Sequence, residues 1–169
     1  MTINNKIVKK FRFRWDDIDA NRHVANTSYT KVTVNLRMEY LEAHGFGQSY
    51  FEDNQLGPVS LNEELHFISE VDGNEQLYVD FQIDGLSRDN KFFKFAHHIY
   101  DSDGLITFYT TTLIAFLDLR KRKLITAPLE FTELIEQIPR TAHFHELTKK
   151  DLRKAYVPYN LKLNLEGLV

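Results

Sequence analysis

Cysteine is absent from the 169 residues. That excludes disulfides, thiolate metal ligands and a cysteine nucleophile, and it agrees with a reducing compartment. Positive charge is not in excess either: 21 Lys and Arg stand against 24 Asp and Glu, a formal net charge of −3. No overall basic field therefore points to nucleic acid or to an anionic membrane. No apolar run is long enough to cross a bilayer, so membrane insertion is not expected. The opening, Met1 to Lys10, has no apolar h-region of the kind a secretory signal needs. A soluble cytoplasmic protein is expected. Internal repeats, low-complexity tracts and linker-like stretches are missing too, which leaves one domain as the expectation.

What the chain does have is apolar and aromatic bulk: 43% hydrophobic residues, with 13 Phe and 8 Tyr, enough to bury a real core. Phe11, Phe13 and Trp15 alternate with Arg12 and Arg14, which predicts a strand over 6–15. From Ser28 to His44 the period turns helical. Val32, Leu36, Tyr40 and Ala43 fall on one stripe, and Gly45 is placed to end the helix. Residues 46–58 read as an irregular connection. Four strands are expected at 59–71, 77–83, 92–100 and 106–119, separated by tight-turn segments. Short helices are expected at 128–138 and 148–156.

One long helix against a five-stranded antiparallel sheet is an α+β arrangement. Phe92, Phe93, Phe95 and the stretch from Ile106 to Phe116 make the later strands apolar on both faces. A single helix covers only one of them, so a second subunit is expected on the other, with the C-terminal tail as the alternative cover.

The segment from Trp15 to Tyr29 gathers three carboxylates, two amides and an imidazole between a strand and the start of the long helix. Such a set can supply a general base, an amide that orients water and a proton carrier. Free N–H groups at the helix start can polarise a carbonyl oxygen. Asp and Asn before a helix also serve as caps and turn formers. In order, Asp17, Asp19, His23, Val24, Asn26 and Tyr29 resemble the first loop of the hotdog thioesterases. Asp19, Asn21 and His23 are closer to the acyl-ACP branch of that family. Arg22 stands where the family usually has glycine, and Ala25 where it has the first Asn of a pair. The likeness continues through Arg37 in mid-helix, the meander, and the Asp118 to Pro128 ending.

This resemblance implies a single hotdog domain over residues 1–138, with a long central helix wrapped by the sheet. Residues 139–169 follow as a helical C-terminal extension packing on it. It implies hydrolysis of an acyl thioester of coenzyme A or acyl carrier protein, without a cofactor, by a homodimer or homotetramer. Asp19 becomes the catalytic carboxylate, as base or nucleophile, with Asn21, His23 and Glu70 beside it. Val24, Asn26 and Tyr29 border the substrate, and N–H groups around 23–26 form the oxyanion hole. For that chemistry Asp19 needs shielding from water or the proximity of Glu70.

Other residues carry two readings each. Asn26 also suits a helix cap. Glu63 breaks the alternation of Val59, Leu61, Leu65 and Phe67, so it is either a substrate-side carboxylate or displaced to solvent by a bulge. His97, on the Phe93–Phe95–Ile99 face, reads as a satisfied core or interface histidine. His143 and His145 have metal-like spacing but no third partner, so no metal is expected. Arg120 to Lys123 form a solvated basic turn or a contact for coenzyme A phosphates or an acidic carrier protein. Leu161, Leu163 and Leu165 suggest an added edge strand. The competing function is a non-catalytic hotdog scaffold that binds an acyl ligand or a partner protein.

Overall fold

The computed structural model describes residues 2–3, 6–153 and 157. In chain order the elements are β1 (Thr2–Ile3), β2 (Lys6–Phe11), a 3-10 turn (Trp15–Asp17), α1 (Asn26–Ala43), α2 (Gln48–Asp53), β3 (Leu56–Phe67), β4 (Leu77–Ser87), β5 (Phe92–Tyr100), β6 (Ile106–Asp118), β7 (Lys123–Ile125), α3 (Leu129–Gln137), β8 (Arg140–Leu147) and α4 (Lys149–Leu152). The sheet runs β1-β2-β4-β5-β6-β3, with β7 on β6 and β8 on β4. All pairings are antiparallel except that of β8, which lies parallel to β4. No helix among the described residues is long and apolar enough to cross a membrane.

The core forms where the inward residues of the sheet meet α1. Leu77, Val79 and Phe81 of β4 are fully buried, as are Phe93, His97 and Ile99 of β5. Tyr40 of α1 meets the Phe81 ring edge-on at 5.6 Å. The helix stripe is rotated from the expected one. Tyr29, Thr33, Leu36, Arg37 and Leu41 are buried, Val32 and Tyr40 flank them, and Ala43 is exposed. A threonine and an arginine therefore face inward.

Several expected boundaries moved. The first strand stops at Phe11, because Arg14 N–H donates to Asp17 Oδ2 at 2.8 Å and bends Trp15–Asp17 into a 3-10 turn. Trp15 is left 92% exposed. The connection after α1 holds a helix, α2, whose Phe51 is buried against Phe116. The C-terminal extension, expected to be helical, begins instead with β8. Its Thr141, Phe144 and Leu147 suit an extended chain, and β2 leaves the far half of β4's edge unpaired for it. The helix expected at 148–156 is confined, among the described residues, to Lys149–Leu152, and residues 161–165 lie outside the described residues.

The expectation of two apolar sheet faces also changes. The outward face of β4 and β5 is polar and internally bonded. Asp80 is fully buried, and its carboxylate accepts from Gln82 Nε2 (2.6 Å), His98 N (2.7 Å) and the Tyr100 hydroxyl (2.8 Å). Burial pushes the Asp80 carboxyl up, but His98 and these donors more than offset it, and it lies below the ordinary range. Among the described residues, the face left apolar and uncovered is that of β3, which ends the strand order and pairs only with β6. Leu61, Leu65, Phe67 and the following Ile68 are 47%, 39%, 51% and 59% exposed.

Candidate active site

The loop ahead of α1 is closed upon itself. Ile18 and Val24 form an isolated antiparallel bridge, and Asp19 N–H donates to the His23 carbonyl at 2.8 Å. Asp19 Oδ1 accepts the N–H groups of Asn21 (2.8 Å) and His23 (3.1 Å). The tightness of this turn puts Arg22 in the left-handed region, at φ 67°. That explains why the resembled family has glycine at this point. Asp19 is exposed in the isolated chain, with one carboxylate oxygen occupied by its own loop and Oδ2 left for other work.

The loop and the end of β3 enclose a cleft of about 610 Å³. Asp19, His23, Val24, Asn26, Tyr29 and Glu70 all border it, joined by Phe67, Ile68 and Ser69 from the end of β3. His23 Nε2 stands 3.6 Å from Glu70 Oε1. Tyr29 forms the apolar wall, 5% exposed, with its ring 5.1 Å from Phe13, 5.4 Å from Phe67 and 4.9 Å from Phe108. Burial and the Glu70 charge raise the Tyr29 hydroxyl above its ordinary range, so it stays protonated.

Two expected residues stand apart from this cleft. Asn21 contributes its backbone to the loop, and its side chain does not border the cleft. Glu63 lies along β3, just past the register shift between Ser60 and Asn62. There it is exposed, accepts from the Thr112 hydroxyl at 3.1 Å, and raises the pKa of Arg37 by its charge, against the larger effect of burial. Asn26 is the first residue of α1 and not its cap. Ala25 takes that place and offers no side-chain bond. In the first turn of α1, Ser28 N–H donates to the Ala25 carbonyl at 2.9 Å, and Asn26 at the helix start borders the cleft.

The aromatic and polar wall from Phe67 to Ser69 was missed at the sequence level. The period-2 pattern of 59–67 gives Phe67 the inward face, but nothing local says that the strand's end meets the Asp19 loop. A second unexpected cluster lies deeper, between α1 and the sheet. Arg37, His97 and Thr110 are buried, and among the described residues Arg37 Nη1, His97 Nε2 and Thr110 Oγ1 have no hydrogen-bond partner. Burial and the Arg37 charge push His97 down to about 3, so it is neutral, with Nδ1–H donating to the Asp80 carbonyl at 2.7 Å.

A long helix laid across a curled antiparallel sheet, with a carboxylate loop at the helix start, is the hotdog arrangement. Residues 13–138 match the thioesterase-like superfamily, and the chain belongs to it. Solved structures with the same fold include a Staphylococcus aureus protein in complex with CoA, at 16% identity and a TM-score of 0.73, covering 94% of this chain and 99% of that one. Another is a 1,4-dihydroxy-2-naphthoyl-CoA thioesterase from Synechocystis, at 12% identity and a TM-score of 0.70, covering 77% and 95%. A third is a DHNA-CoA thioesterase from Staphylococcus aureus, at 13% identity and a TM-score of 0.67, covering 78% and 87%. At these identities the likeness is one of fold. No curated protein matches the sequence. Thioester hydrolysis is the general chemistry of the superfamily.

Proposed function

We propose that this chain hydrolyses an acyl thioester of coenzyme A, with acyl carrier protein as the alternative carrier, at the cleft bordered by Asp19, His23 and Glu70. The observation that carries the reading is the meeting of those three residues, from two distant segments, beside the start of α1. In this reading Asp19 takes a proton from water while the water oxygen bonds to the thioester carbonyl carbon. Negative charge passes to the carbonyl oxygen, which the N–H groups at the helix start stabilise. The carbon–sulfur bond then breaks, and the thiolate leaves with the proton, for which His23 is the carrier. Asn21 holds Asp19 through its N–H, and Val24, Asn26 and Tyr29 shape the acyl side.

Coenzyme A is favoured over carrier protein because the structural relatives just described include a CoA complex and two CoA thioesterases. The aromatic wall of Tyr29 and Phe67 suits an aromatic or apolar acyl group. The active form is at least a homodimer, joined at the β3 edge. A second copy there would also shield Asp19 from water. The site lies in the domain of residues 1–138, with 139–169 as an extension on it, in a cytoplasmic protein.

The test is release of free thiol from acetyl-, octanoyl-, palmitoyl- and benzoyl-CoA, with Asp19→Ala as control. Turnover lost in the control supports the reading. Turnover that survives it removes Asp19 from the mechanism. Silence with CoA and carrier-protein esters alike leaves the acyl-binding scaffold, a reading favoured by the way Asp19 Oδ1 is spent on its own loop.

A further inference from the structure

Asp17, two residues ahead of Asp19, takes no part in the reaction described above, yet it is tied to the chain on both sides of the loop. Its carbonyl accepts the Ala25 N–H at 2.7 Å, and Asp19 N–H donates to the His23 carbonyl at 2.8 Å. With the Ile18–Val24 bridge between these two bonds, residues 17–25 form a miniature antiparallel hairpin. One arm runs through Ala25 directly into α1. The other arm, which carries Asp19, is anchored by the Asp17 side chain.

Asp17 Oδ2 accepts the Arg14 N–H at 2.8 Å, the bond that folds Trp15–Asp17 into its 3-10 turn. The Ser28 side chain, in the first turn of α1, hydrogen-bonds the same carboxylate. Ser28 is 7% exposed, so without Asp17 its hydroxyl would give up water for nothing. Burial pushes the Asp17 carboxyl up, but the Arg14 N–H, Ser28 and the charges of Lys31 and Arg14 more than offset it. The carboxyl lies below its ordinary range and is ionised at neutral pH. An ionised carboxylate accepts at both oxygens, whereas an amide offers one acceptor oxygen and an NH2 donor.

We propose that Asp17 is a positioning residue: it clamps the arm of the loop that carries Asp19 against the first turn of α1. The Asp19 carboxylate is thereby fixed relative to the helix start. The inference rests on the thioesterase reading. Attack by water needs the base and the groups that polarise the carbonyl to be held together, and a shift of about 1 Å costs on the order of 10²-fold. Asp17 does not border the cleft. It acts on that distance through Asp19 and needs no contact with substrate.

The experiment compares Asp17→Ala and Asp17→Asn with wild type in thioester hydrolysis, at a temperature where circular dichroism shows all three folded. Asp17→Ala should lower kcat by about 10²-fold and leave KM within about twofold. Asp17→Asn, whose amide oxygen can still take the Arg14 N–H, should recover about tenfold of that loss. Because Asp17 acts through Asp19, the Asp17→Ala/Asp19→Ala variant should be no slower than Asp19→Ala. Amide exchange at Asn21 and His23, the two donors to Asp19 Oδ1, should quicken in Asp17→Ala while that of β4 stays as in wild type. If Asp17→Ala does not fold, Ser28→Ala, which removes only the helix-side bond, takes its place with a kcat loss of about tenfold. Losses that multiply in the double variant, an Asn variant as slow as the Ala one, or unchanged exchange at residues 21 and 23 overturn the proposal. If the wild type cleaves no ester, the thioesterase reading has failed. The exchange measurement alone then decides whether Asp17 holds the loop.

Discussion

His23 Nε2 lies 3.6 Å from Glu70 Oε1, joining the loop before α1 to the segment after β3 across 47 residues of sequence. Both side chains are more than half exposed in the single chain, and such a pair contributes little to stability, about 0–1 kcal/mol. In the proposed mechanism its value is in holding an imidazole where a leaving thiol would need a proton. Glu70→Gln and His23→Gln should each leave the melting temperature near wild type. Each should lower thioester turnover by about 10²-fold, and the double variant by much less than the product of the two. Additive losses would separate the two residues.

Arg22 pays the steric cost of a left-handed backbone at φ 67°. Arg22→Gly should stabilise the fold by about 0.5–1 kcal/mol, since strain of this kind exceeds the entropy that glycine adds to the unfolded chain. Urea midpoints of the two proteins check this, and a lower midpoint for the glycine variant would show the turn to be unstrained.

His97 gives stability a pH dependence with a definite sign. Its folded value, pushed down to about 3, lies below the ordinary 6.5, so the unfolded state takes up the proton first. The contribution is complete above pH 6.5 and is lost as pH falls from there towards 3, at up to about 1.4 kcal/mol per pH unit. Unfolding free energies at pH 7.5 and pH 5 should therefore differ more in wild type than in His97→Asn. Equal differences would place His97 in contact with water.

The β3 edge carries the dimer expectation. Leu61→Lys and Leu65→Lys, both outside the cleft, should shift the sedimentation coefficient to that of the monomer while leaving the core intact. Turnover should fall with dissociation, because the cleft would lose its shielding. A monomeric wild type would contradict the arrangement.

Gly85 is where β8 comes closest to β4. An added Cβ would lie 2.5 Å from Leu147 Cδ2 and 3.1 Å from the His145 carbonyl oxygen. The backbone oxygen cannot rotate aside, so Gly85→Ala should cost about 1–3 kcal/mol. Increased hydrogen exchange over 140–147 would locate the loss, and an unchanged pattern would mean that β8 shifts without detaching.

Much of the architecture is legible in local chemistry. Period-2 alternation marks β4 because Leu77, Val79, Phe81 and Ile83 are all buried in the core, and turn residues mark the meander because each reversal needs them. Asp19, His23 and Asn26 are legible as a site since their order in one short loop is itself the motif. Arg37 was visible only as part of that resemblance. No periodicity shows that it would be buried, or that His97 would be its neighbour.

The sequence by itself determined the α+β class, the helix, the strands of the meander and the loop that presents Asp19, because these depend on contacts within a few residues. Only the tertiary structure decided that Glu70 meets His23, that Glu63 stays outside the cleft, that β8 joins the sheet and that β3, among the described residues, pairs only with β6. Those outcomes depend on strand order and register, and a shift of one residue would send every side chain of a strand to the other face.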